Sequence, residues 1–292
     1  MAYKFVGKSV PRLEGAEKVS GKTRYAADVD IPDALWAKLL RSPLPHARIL
    51  KVDTSKAAKL PGVRAVITGL DIPPVLTGLR MKDMPVLARD RVRYVGEPIA
   101  AVAADSAEIA EEALNLIDVQ YEELPYITDP LKAIEPGAPV LHDNPAGYKN
   151  APERATELPN VQSYGQWSNG DVEAGFKNAA RVFEHTFRTP LGFHAYIEPH
   201  ACTVRINDDG QIEIWASNKA PFTLRDRVAR DLDLDPQKSK CISCPWAATS
   251  VARLPSSKCR SVISWPSEPA NPSRWCLTTL RSWPPARIAI LP

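Results

Sequence analysis

Residues 193–200, Phe-His-Ala-Tyr-Ile-Glu-Pro-His, carry the densest set of potential metal ligands in the chain. In a strand, side chains alternate from face to face, so His194, Glu198 and His200 would share one side. Two imidazoles and a carboxylate at His-x3-Glu-x-His spacing could supply three ligands to a metal. Cys241 and Cys244 form a C-x-x-C pair, but structural zinc normally needs a second pair or added histidines, and no partner pair with suitable spacing follows. We read these thiols as ordinary strand residues. Glu122 and Glu123 stand side by side at the end of a strand-like pattern and suit a solvated edge better than a catalytic carboxylate pair.

The elements that would hold these residues follow from periodicity. ALWAKLLRS (34–42) is strand-like, and ARILKVDTS (47–55) places Leu50 and Val52 opposite Lys51 and Asp53. Thr54 or Ser55 is expected to cap a short helix before Pro61-Gly62, with VRAVIT (63–68) returning as a strand. EPIAAVAAD (97–105) reads as a buried strand. Asp105 and Glu108 have capping-box spacing ahead of a helix from Ser106 to about residue 116. IDVQYEELP (117–125) alternates again. These helices are too short for a doubly wound fold, and no G-x-G-x-x-G follows a strand, so a dinucleotide-binding domain is not expected.

Residues 127–165 are rich in Pro, Asn and Gly and read as a surface connector. Beyond it, a short helix with Asp171 near its start leads into an expected strand, VFEHTFRTP (182–190). Two further strands should meet at a hairpin turn, Asp208-Asp209-Gly210. TLRDRVARDLDLDP then sets Leu224, Val228 and Leu232 on one helical face.

The chain of 292 residues is long enough for two domains. Its net charge of +3 is unevenly spread. Six Lys/Arg and one Glu lie beyond residue 245, leaving 31 basic against 33 acidic residues before it. The basic excess therefore belongs to the last 47 residues, and no nucleic-acid partner is expected. The N-terminal MAYKFVGKSVPRLEG has no apolar signal core. No apolar run approaches the ~18 residues of a membrane span. A cytoplasmic protein with no membrane association is expected.

Long phrases of the sequence resemble a known family. RLEGAEKVSGKTRYAADVDIPDALWAKLLRSPLPHARILKVDTSKA and VLARDRVRYVGEPIAAVAADSAEIAEEAL are similar to the α/β hammerhead domain of the molybdenum hydroxylases. These are the large, molybdopterin-binding subunits of the xanthine dehydrogenase, aldehyde oxidase and aerobic carbon monoxide dehydrogenase type. GFHAYIEPHACTVRINDDGQIEIWASNKAPF resembles the start of that family's molybdenum-binding region. The resemblance implies an α+β fold: a hammerhead domain over 1–145, the incomplete start of a molybdopterin-binding domain over 146–245, and a tail over 246–292.

It also implies a chemistry. Family members hydroxylate an electron-poor carbon of a small-molecule substrate with water as oxygen source. They use a molybdenum–molybdopterin cofactor and pass electrons to iron–sulfur and FAD subunits. The family's catalytic glutamate lies beyond this chain's last residue, so no catalytic residue is assigned. The family motif S-T-Q-x-P-F reads Ser217-Asn218-Lys219-Ala220-Pro221-Phe222 here. Lys219 thus stands where a glutamine often faces the metal's ligands, and Phe222 closes the motif. A lysine donates to an oxo group but cannot accept, and it adds a charge, so Lys219 marks either a subfamily with a different substrate or a surface lysine beside a strand end. The family uses the strand of His194, Glu198 and His200 for packing and pocket lining, so no metal site is expected there. His46 belongs to the hammerhead signature, and a structural role is expected.

The last 47 residues depart from everything before them. They contain no Gly and no Asp, and hold four of the seven tryptophans. A glycine-rich loop, commonly G-G-x-F-G-G-K, is due at this point in the family, because glycine lets backbone N–H groups approach anionic ligands. The chain instead reads WAATSVARLPSS. Codons for residues 245–253, read from the last base of the Pro245 codon, permit Val-Gly-Gly-Asp-Phe-Gly-Gly-Lys. The first of these glycines is forced. A base lost at the Pro245/Trp246 junction would explain both the missing loop and the change of composition. The tail is therefore expected to be a disordered frameshift product and the chain to bind no cofactor. With their partners missing, the strands past about residue 150 are expected to leave edges open and to lower solubility unless removed.

Overall fold

The computed structural model describes Lys4, residues 6–78 and 81–189, Glu198 and residues 200–243, without the side chains of 238, 239 and 241–243. His194, Cys244 and the expected frameshift tail lie outside the described residues. The fold is α+β.

Helix α1 spans Gly15–Val19. Strands β1 (Trp36–Arg41), β2 (Ala47–Asp53) and β3 (Val63–Thr68) follow. Short strands β4 (Leu76–Thr77), β5 (Met84–Pro85) and β6 (Arg91–Val92) lead to β7 (Pro98–Ala104), helix α2 (Ala107–Asn115) and β8 (Asp118–Glu123). Helix α3 (Val172–Asn178) precedes β9 (Cys202–Ile206), β10 (Ile212–Ala216), helix α4 (Pro221–Asp231) and β11 (Ser239–Ser243).

Strand β7 is the centre of the molecule. It lies between β1 and β3 in an antiparallel sheet and is buried on both faces, which is why PIAAVAA is a continuous apolar run. Ala100, Val102 and Ala104 pack under α2 through Ala110 and Ala113, all fully buried. Alanine on both sides lets helix and strand approach closely. Ala101 and Ala103 point the other way, into a core shared with Val204, Ile214, Leu224 and Val228 from β9, β10 and α4. One alternating strand thus joins the two halves of the chain. A second antiparallel sheet orders β6-β2-β8.

Several sequence expectations change here. Leu50 and Val52 do not share a face: the β2–β8 register slips between Ile49 and Lys51, Leu50 is the extra residue, and it is 61% exposed. The helix after β2 is a three-residue 3₁₀ turn, Ala57–Lys59, without a side-chain cap; Asp53 instead accepts from the Ser55 amide. Ser106, not Asp105, caps α2 by accepting from the Ile109 amide at 3.2 Å, while Asp105 pairs with Arg64. Residues 182–189, expected as a strand, are irregular and exposed.

Asp171 does cap α3, accepting from the Ala174 amide at 2.9 Å. The β9–β10 hairpin forms as expected, with Gly210 at φ +78°. Of the strands beyond residue 150, β9, β10 and β11 make one sheet, in which β11 runs parallel to β10; β9 and β10 bury apolar side chains against the β1-β7-β3 sheet, while β9 and β11 stand at the edges of their own sheet. Cutting the chain near residue 150 would uncover that face.

Candidate functional site

The turn between β10 and α4 carries Lys219 and Phe222. The Ser217 amide donates to the Ala201 carbonyl at 3.1 Å, tying the turn to the residue before β9. Asn218 is buried, and its Oδ1 accepts from the Ala220 amide at 2.7 Å. This local ring turns the chain into the helix. Pro221 then opens α4 with its φ preset, while Ala220 at the N-cap offers no side-chain acceptor. Lys219 is exposed. Phe222 is 72% exposed, with the Arg225 guanidinium 5.5 Å above its ring. Beside it lies an open groove of ≈ 220 Å³, bordered by Gln211, Arg225, Gln237 and Lys240.

An ammonium next to an uncapped helix N-terminus is a donor set suited to an anion. A pterin-held metal also needs an enclosed, largely dry cradle. Lys219 and Phe222 both face outward, and the groove beside them is smaller than the ~300 Å³ at which sites for compact organic ligands begin. The described residues do not by themselves fit the cofactor.

Glu198 is buried and His200 half-buried. Among the described residues, no three His, Cys, Asp or Glu side chains are grouped as metal ligands. His46 is buried, with Nδ1 2.7 Å from the Pro125 carbonyl oxygen, which pins β2 to the segment after β8. Glu122 pairs with Arg48 at 3.1 Å on an exposed edge.

Sequence reasoning passed over a second polar centre. Glu97, at the mouth of β7, is 3% exposed, and its carboxylate accepts from the Arg93 amide at 2.5 Å. Burial pushes its pKa up to about 7, partly offset by that amide and by the Arg93 charge. Nearby, His142 meets the Tyr148 hydroxyl at 2.9 Å. Its pKa is pushed down to about 4, first by burial and then by the Arg93 and Arg91 charges. Arg93, Asp83 and His142 face a cavity of ≈ 510 Å³ between the hammerhead strands and the connector. Asn160 closes the connector side, accepting from the Leu141 amide and donating to the carbonyls of Ala133 and Pro139. An acid set directly before a wholly apolar run was the available signal for Glu97.

A small antiparallel sheet under an Ala-packed helix, joined through one core to a hairpin-and-helix unit, defines the class: the cofactor-carrying large subunits built on a hammerhead domain. Residues 20–125 match the family described as aldehyde oxidase and xanthine dehydrogenase, a/b hammerhead domain. Residues 154–245 match the molybdopterin cofactor-binding domain. The chain belongs to the molybdenum hydroxylase large-subunit family and corresponds to its N-terminal part.

Among relatives, it is 40% identical over 235 residues to a probable xanthine dehydrogenase subunit of Bacillus subtilis, covering 80% of this chain and 30% of that protein. It is 35% identical to the nicotinate dehydrogenase large molybdopterin subunit of Eubacterium barkeri, covering 82% of this chain and 53% of the other. Quinoline 2-oxidoreductase from Pseudomonas putida 86 superposes with a TM-score of 0.69 at 30% identity, over 80% of this chain and 30% of that one. The chain therefore spans between about a third and a half of these relatives' lengths. Among the described residues, no helix is long and apolar enough to cross a membrane.

Proposed function

We propose that residues up to 245 are the opening part of a molybdenum hydroxylase large subunit, and that the reading frame is shifted at the Pro245/Trp246 junction. One observation carries this reading: the match to the molybdopterin cofactor-binding domain ends at Pro245, where the shifted frame permits the family's missing glycine loop. The 292-residue chain is then a non-catalytic fragment that does not retain the cofactor. The restored subunit would be an oxidoreductase that hydroxylates an electron-poor carbon with water as oxygen source. It would work in the cytoplasm with iron–sulfur and FAD subunits. Relatives are named for nicotinate, nicotine and carbon monoxide, so we place the substrate among small molecules.

In the restored protein, Lys219 and the N-terminus of α4 would offer positive donors toward anionic groups, and Phe222 an apolar wall. The test begins with the nucleotide sequence from codon 240 onward, read from an independent template. An extra base that restores Gly-Gly-Asp-Phe-Gly-Gly-Lys and a long open frame supports the reading. Both chains are then expressed in a host that makes molybdenum cofactor. Molybdenum and pterin should follow the restored chain and be missing from the 292-residue one. Stoichiometric molybdenum on the 292-residue chain would overturn the proposal.

A further inference from the structure

Residues 162–189 are exposed along their whole length, apart from a half-buried Ala174. The stretch holds Tyr164, Trp167, Phe176, Val182, Phe183 and Phe187, exposed by 58% to 92%. Large apolar side chains crowded on a surface mark an interaction site. Helix α3, within it, buries no residue, and seven residues are too few to hold a helix by propensity alone. After α3, residues 182–188 alternate: Phe183, His185 and Phe187 on one side, Val182, Glu184 and Thr186 on the other. The rings of His185 and Phe187 already lie 6.2 Å apart. A segment with this pattern pairs as a strand when an edge is offered. None of the described strands pairs with it.

The arm holds three acidic residues (Asp171, Glu173, Glu184) and three basic ones (Lys177, Arg181, Arg188). A balanced, aromatic surface does not suit nucleic acid or an anionic membrane and does suit protein. It lies inside the stretch that matches the molybdopterin cofactor-binding domain, residues 154–245. The chain covers only 30% and 53% of two relatives that align with it. We propose that the arm is covered from within its own domain: the polypeptide that follows residue 245 in the restored frame supplies a strand edge for 182–188 and an apolar bed for Trp167 and Phe176.

This rests on the frameshift reading, whose failure appears separately, in the nucleotide sequence. The test is hydrogen exchange together with limited trypsin digestion, on the 292-residue chain and on the restored, cofactor-loaded subunit. In the 292-residue chain, amides of 162–189 should exchange as in an unfolded peptide, with first cuts after Lys177, Arg181 and Arg188. In the restored subunit, exchange there should slow by at least about tenfold, in step with its core strands. An arm that still exchanges freely in the loaded subunit overturns the proposal. So does an arm already protected in the 292-residue chain at the mass of a dimer, which would make a second copy the occupant.

Discussion

Lys82 Nζ lies 3.1 Å from Asp231 Oδ1 across 149 residues of sequence, and both side chains are nearly buried, at 12% and 5% exposure. The pair clasps the loop before β5 to the last turn of α4. It therefore fixes how the turn bearing Lys219 sits on the hammerhead sheet. Removing one partner strands a charge away from water. Asp231→Ala should lower stability by about 3 kcal/mol, read from urea unfolding, whereas a Lys82→Met/Asp231→Leu pair should cost much less. Equal losses in the two variants would show that no stranded charge is involved.

Glu97 gives stability an unusual pH dependence. Its folded pKa is raised to about 7 from 4.5, so between those values the folded state holds a proton that the unfolded state has lost. Stability then falls with rising pH by up to about 1.4 kcal/mol per unit. His142 acts oppositely. Its pKa is lowered from 6.5 to about 4, so stability rises with pH across that window. The two slopes offset each other up to about pH 6.5, and above it the Glu97 decline stands alone. Glu97→Gln keeps an acceptor for the Arg93 amide and should abolish that decline in thermal melts from pH 5 to 8.

The shared core predicts a single transition. Ile214 is fully buried beside residues from both halves of the chain. Ile214→Ala should cost about 3 kcal/mol and shift probes in both halves together. A chain ending at residue 150 should be less soluble than one ending at 243, because the Ala101/Ala103 face loses its cover. Two separate transitions, or a well-behaved 150-residue chain, would show that the halves are independent.

The cap of α2 separates two neighbouring side chains. Ser106→Ala removes the acceptor for the Ile109 amide and should cost about 1 kcal/mol. Asp105→Ala only breaks an exposed pair with Arg64 and should cost under about 1 kcal/mol. Reversed magnitudes would return the cap to Asp105.

Sequence alone determined most of the elements. β1, β3, β7 and β8, the hairpin at Gly210 and the apolar stripe of α4 follow from period-two and period-3.6 patterns set by local backbone geometry. The family was legible for a different reason: long phrases around Arg93–Pro98 and Ser217–Phe222 survive as words. Tertiary structure decided what depends on partners distant in the chain. A bulge that only the β8 register can impose turned Leu50 outward. The approach of Arg64 took Asp105 from the cap and left it to Ser106. No described strand pairs with Val182 to Thr189, which stayed irregular despite its alternating pattern. Burial raised Glu97, and no local pattern reports how much water a fold removes. Alternation told that β7 has two faces; only packing showed that each face belongs to a different half of the molecule.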